Sequence, residues 1–135
     1  MNSYQMAGAD TLKAGTILIE EGTFVPECFR LETEPDADGW KSVANLEPRE
    51  LDRKLNQAGW IFFYMAGEIK STVFGLDRQK ALRSALKRVI SQVKAQNCNG
   101  LQITDVTSGS FLNLPCVSIS AHSRHIQQGL VFSGA

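Results

Sequence analysis

Between Asp77 and Gln96 the apolar residues Leu82, Leu86, Val89, Ile90 and Val93 fall within one sector when the chain is wound as an α-helix. Lys80, Arg83, Lys87 and Lys94 form a stripe beside them, so the spacing predicts one long amphipathic helix over 77–97 with a dry face and a positive face. Asp77 is a good N-cap, because its short carboxylate can accept from the open N–H groups of a first turn, and Asn97-Cys98-Asn99-Gly100 supplies stop signals. Burying the five large side chains contributes roughly 8–15 kcal/mol gross, comparable with the net stability of a domain. A charge at Leu86 or Val89 is therefore expected to unfold the protein.

The other periodicities are shorter. Thr16-Ile17-Leu18-Ile19 predicts a strand ended by Glu20-Glu21-Gly22, and residues 23–33 offer a second extended stretch broken by Pro26. Pro35-Asp36-Ala37-Asp38-Gly39 is the clearest turn signal, with Trp40 to Val43 as the returning strand. Pro48 to Ala58 predicts a short helix closed by Gly59. Trp60 to Ala66 has no polar residue, which fits a strand covered on both faces at the centre of a sheet and continuing past a bulge at Gly67 through Ile69, Ser71 and Val73. Leu101 to Val106 predicts a strand, Thr107 to Asn113 a loop, and Pro115 to Ala121 a further strand.

Together these elements predict a single α+β domain over 1–135. A mixed or antiparallel sheet is backed by the 77–97 helix and joined by the 48–58 helix, and it contains a β-α-β-β unit. Residues 1–12 are expected to be flexible, and 126–135 to form a tail or edge strand, with Leu130-Val131-Phe132 as its apolar part.

The chain has 135 residues, 43% of them hydrophobic, which is ample for one core. Its formal net charge of zero argues against a surface devoted wholly to nucleic acid or acidic lipid. That balance conceals a division: residues 1–69 carry 12 acidic and 6 basic side chains, and residues 70–135 carry 2 acidic and 8 basic. The halves should attract, within one molecule or between neighbours. Cys28, Cys98 and Cys116 are an odd number without Cys-x-x-Cys spacing, so reduced thiols are expected rather than a disulfide framework or thiolate zinc site. No basic-then-apolar leader is visible at the start, and the longest apolar run is far below the ~20 residues of a membrane span. A cytoplasmic protein without membrane association is expected.

Chemistry has few places to reside. On the strand from Val117, Ser118, Ser120, His122 and Arg124 point away from Val117, Ile119 and Ala121. Their functional interpretation is a surface for a small anionic ligand, with Arg124 as charge partner and His122 able to change charge near neutrality. Their plain interpretation is a solvated outer face. Glu68 and Asp105 lie in or beside apolar strands, Asp105 in phase with Leu101 and Ile103; each is a candidate acid or base for a small enzyme, or simply a strand-end carboxylate, with Lys70 beside Glu68. His122 and His125 could share a metal only if the strand ends between them, and no metal or cofactor is expected. Phosphate-loop, nucleophile-elbow and zinc-protease signatures are missing, and Thr107-Ser108-Gly109-Ser110 is an ordinary hydroxyl-rich loop. The stripe of Lys80, Arg83, Lys87 and Lys94 could follow a phosphate backbone, yet no aromatic interleaves with it and the acidic half is the cheaper partner.

Gly67-Glu68, Ala81, Ala85, Asn97-Cys98-Asn99-Gly100 and Val117-Ser118-Ile119-Ser120-Ala121 give the segment from Gly67 to His125 an order of elements that resembles the small bacterial YbjQ-like proteins. The likeness covers less than half of the chain, and Cys98 with Asn99 replaces the small residues usual at the helix stop. It implies a ring-like homo-oligomer and brings no catalytic residues. The expected function is thus a homo-oligomeric module that binds a small anion, with a small enzyme and a nucleic-acid binder as rivals.

Overall fold

The computed structural model describes residues 12–23, 35–36, 39–45, 48–57, 59–64 and 68–128. The expectations for residues 1–11, 24–33, 130–132 and Gly67 lie outside the described residues, as does Cys28.

The long helix forms where its apolar spacing places it. Two helices are described, α1 (Pro48–Gln57) and α2 (Arg78–Ala95). The Asp77 carboxylate accepts from the N–H groups of Gln79 and Lys80 at 3.0 and 3.2 Å, which satisfies donors that the first turn leaves open. Asn97 then takes φ 58 and ends the helix. Ala81, Leu82, Ala85, Leu86, Val89, Ile90 and Val93 are all buried on α2.

Seven strands are described: β1 (Thr16–Glu20), β2 (Pro35–Asp36), β3 (Trp40–Asn45), β4 (Trp60–Tyr64), β5 (Ile69–Phe74), β6 (Gly100–Phe111) and β7 (Leu114–Gln128). The sheet order is β2-β3-β1-β6-β7-β4, with β5 also on β7, and every pairing is antiparallel. The protein is therefore α+β, an antiparallel sheet with α2 packed on one face. Ile69, Leu101, Ile103, Val117, Ile119 and Ala121 meet α2 in the core, together with Leu18 and Trp40 from the far side of the sheet. Leu12, expected in a flexible start, is buried in the same core.

Several expectations are corrected by the pairing. The run from Trp60 is not central, since among the described residues β4 pairs with β7 alone. Strands β4 and β5 lie end to end along one edge of β7, and β6 runs along the other. Tyr64 pairs with Arg124 and Ile69 with Ala121, so five steps on one side face three on the other. Residues 107–111 are not a loop but the outer half of β6, and the connection to β7 is only Leu112-Asn113, with φ 52 and 65. Positive φ at both central residues identifies a tight hairpin turn whose twist matches that of its strands. Residues 126–128, expected in a tail or edge strand, continue β7.

Candidate functional site

The face of the sheet turned away from α2 takes its character from the register of four strands, β1, β5, β6 and β7. Residues directly opposite one another in antiparallel strands share a face. Ile19, Gly100 and Arg124 therefore form one cross-strand row, and Ile17, Gln102 and His122 the next. Further out come Asp105, Ser120 and Lys70, followed by Thr107, Ser118 and Thr72. Gly109, Cys116 and Phe74 make the last three-strand row, and Phe111 with Leu114 closes the hairpin.

An irregularity in β6 decides which groups join this face. Ile103 pairs with Ala121 but Asp105 with Ser120, so Thr104 is one residue too many and the alternation slips there. Asp105 consequently points away from Leu101 and Ile103, contrary to its expected phase, while Val106 returns toward the core opposite Ile119. The bulge keeps an exposed carboxylate out of the α2 interface, where burial without a partner would be costly. Glu68, just before β5, reaches over β7 to accept a 3.4 Å hydrogen bond from Thr104 Oγ1. Ser118, Ser120, His122, Arg124, Glu68 and Asp105 are thereby gathered at one side of the sheet.

Burial changes steeply along the face. Arg124 is 0% exposed and Gln102 4%, and the Arg124 guanidinium donates to the Gln102 amide oxygen. Ile17, Ile19 and Ile126 are buried around them. Ser120 is buried, Ser118 and His122 are half-buried, and Glu68, Lys70, Thr72, Asp105 and Thr107 are exposed. Thr72 and Ser118 join their hydroxyls at 2.7 Å. The arrangement is a polar strip with a buried guanidinium at its inner end, the exposed Lys70 ammonium beside Ser120, and the Thr72, Ser118 and Thr107 hydroxyls further out. Such a strip can donate to an anion at several points and can orient a polar ligand between Lys70 and Asp105.

Gln102, Lys70, Thr72 and Thr107 join the strip although sequence patterning did not single them out as members. Each lies on a different strand from the polar row, so only register reveals it; alternation along β5 was the available signal for Thr72.

The two histidines do not converge. Strand β7 continues through both, so His122 takes the outer face and His125 the opposite one, where it is hydrogen-bonded to Gln127 at 3.2 Å. Cys98 is buried below the end of α2. Burial pushes its thiol above the usual range, and a hydrogen bond involving Ser123 opposes that rise. Ser123 also donates to the Gln96 side-chain oxygen. Asn99 exchanges two 2.8 Å hydrogen bonds with the Ile126 backbone and so ties the start of β6 to β7.

The basic candidates remain on α2. Lys80, Lys87 and Lys94 are exposed and Arg83 is half-buried. Lys94 lies 4.0 Å from the Glu20 carboxylate, one contact between the basic and acidic halves. Ser108, expected in a hydroxyl-rich loop, sits in β6 and accepts from Arg78 Nε at 3.1 Å. No helix of the described residues is long and apolar enough to cross a membrane. Compared with protein families, curated proteins and solved structures, the chain matches none.

Proposed function

We propose that the protein is a homo-oligomeric module that binds a small anionic ligand on the outer strip of its sheet. The observation that carries this reading is the convergence of Ser118, Ser120, His122 and Arg124 with Lys70, Thr72 and Gln102 on one face not covered by α2. Lys70 supplies an accessible charge, the hydroxyls supply directional donors, and Arg124 contributes positive potential from beneath through Gln102. The charge division between the halves and the resemblance to ring-forming proteins support self-association. Amide chemical shifts measured during titration with inorganic phosphate, sulfate and small carboxylates test the site. Saturable shifts centred on residues 118–124, weakened by Lys70→Ala, are the expected result. Flat titrations to millimolar concentration with all three anion types would remove the proposal. Light scattering at low and high salt tests the oligomer, and a strict monomer at micromolar concentration in both conditions would exclude it.

A second reading draws on the Glu68 carboxylate held over β7 by Thr104. A small enzyme could use Glu68 or Asp105 beside His122 as its acid–base pair. Turnover of generic ester or phosphoester substrates that is lost in both His122→Gln and Glu68→Gln supports it, and turnover indifferent to both changes rejects it. If retention on nucleic acid falls steeply with salt and with charge reversal at Lys80, Arg83 and Lys87, the function lies on α2 instead.

A further inference from the structure

The turn joining β6 to β7 places its leucine where the backbone is unfavourable. Leu112 has φ 52 and Asn113 φ 65, and positive φ is uncommon for a bulky residue such as leucine, whereas Asn-Gly fits this kind of turn without strain. The strained side chain is not used in packing, since Leu112 is 80% exposed. Around it Phe74, Leu76, Phe111 and Leu114 are also exposed, and Leu76 is 89% so. Phe74 and Phe111 meet edge to face with centroids 6.3 Å apart, over the row that holds Gly109. Five large apolar residues therefore form one cap on the end of the molecule, of the kind that marks an interaction surface.

The shape and surroundings of the cap indicate what covers it. Beyond Cys116 the structure is a two-stranded ribbon, because the β5 ladder ends at Phe74. From Gly109, in the last three-strand row, to Leu112 the ribbon projects roughly 10 Å, and Arg78 reaches Ser108 just behind that base. A narrow convex tip cannot present the about 800 Å² that each partner gives a standard protein interface. At its base stand Arg78 and Lys80, the first cations of a helix whose residues 78–95 hold six basic side chains and no carboxylate. The nearby Asp77 is engaged with the helix N–H groups. Two copies meeting tip to tip would bring these cations together, whereas an anionic surface is complementary to them.

We propose that the β6–β7 tip docks on an anionic lipid bilayer, inserting Leu112, Phe111 and Leu114 at the headgroup level with Arg78 and Lys80 against the headgroups. Peripheral attachment of this kind needs no apolar run long enough to span, so the sequence grounds for expecting no membrane contact do not bear on it. The cap lies on the same sheet face as the outer strip, two rows beyond Thr107 and Ser118 at the hairpin end.

Cosedimentation of the intact chain with vesicles of phosphatidylcholine alone, and of phosphatidylcholine with phosphatidylserine, tests this. Binding is expected with phosphatidylserine, and it should weaken as salt rises. Leu112→Ser should lower it about tenfold or more, and Arg78→Glu or Lys80→Gln roughly fivefold or more for each charge lost. These side chains lie outside the core, so circular dichroism and thermal midpoint should stay parental, which separates lost docking from lost folding. Absence of binding at low salt would overturn the proposal, as would binding indifferent to Leu112→Ser. A concentration-dependent oligomer abolished by Leu112→Ser without vesicle binding would assign the cap to a second copy and also overturn it.

Discussion

The two halves of the β6–β7 hairpin belong to one ladder, interrupted only by the bulge at Thr104, and have opposite surroundings. From Gly100 to Ile103 every residue of β6 is buried, and the β7 residues opposite include the fully buried Ala121, Ser123 and Arg124. From Thr104 outward β6 is exposed apart from the half-buried Val106. Equal hydrogen bonding therefore goes with unequal support. The inner half is held by α2, by β1 and by side-chain ties such as Asn99 to Ile126, whereas the outer end is a two-stranded ribbon that is marginal by itself. Apolar residues there cannot be explained by the core.

The largest break in this comparison is a charge placed in the inner half's support. Val89→Asp should abolish the cooperative urea transition, because a carboxylate would stand in a site that is 0% exposed. Leu112→Asp at the tip should leave that transition in place. Arg124→Ala leaves a void and removes the donor to Gln102, so it should cost about 2–4 kcal/mol, whereas Thr107→Ala in the exposed half should change stability by less than about 0.5 kcal/mol. Deleting Thr104 tests the boundary itself. Removing the bulged residue would leave Asp105 opposite Ser120 and Val106 opposite Ile119 in unbroken alternation, so the cooperative urea transition should be retained with a change of no more than about 1 kcal/mol.

Smaller effects sharpen the contrast. Leu112→Gly should stabilise the protein by roughly 0.5–1 kcal/mol, measured by thermal denaturation, because glycine relieves the positive φ and nothing buried is lost. The smallest expected effect is at Cys98. Its folded thiol holds its proton at pH values where the unfolded thiol has lost it, so stability is full below the ordinary thiol range and falls as pH rises through the raised folded value. Comparing urea midpoints of the parent and Cys98→Ala across alkaline pH should show the steeper decline in the parent. A parallel decline would place the titration elsewhere.

Local patterning was enough for much of this architecture. Heptad-like apolar spacing and the Asp77 cap gave α2 its span, and alternation on β7 separated Val117, Ile119 and Ala121 from the polar row, since both signals depend on neighbours a few residues apart. The run from Trp60 misleads because uninterrupted apolar residues say that a strand is covered without saying by what, and among the described residues β4 (Trp60–Tyr64) pairs with β7 alone. Composition predicts a loop at residues 107–111 because Thr, Ser and Gly are as common in turns as in an exposed ribbon.

The amino-acid sequence by itself determined the long helix, its buried stripe, the α+β class and the polar side of β7, all of which follow from short-range periodicity. Tertiary structure alone decided the strand order, the slip at Thr104 that turns Asp105 outward, the burial of Arg124 and the gathering of Lys70, Gln102 and Thr107 into one strip. The physical reason is register: a single added residue in one strand reverses every side chain beyond it, and that choice is made by the strands it pairs with.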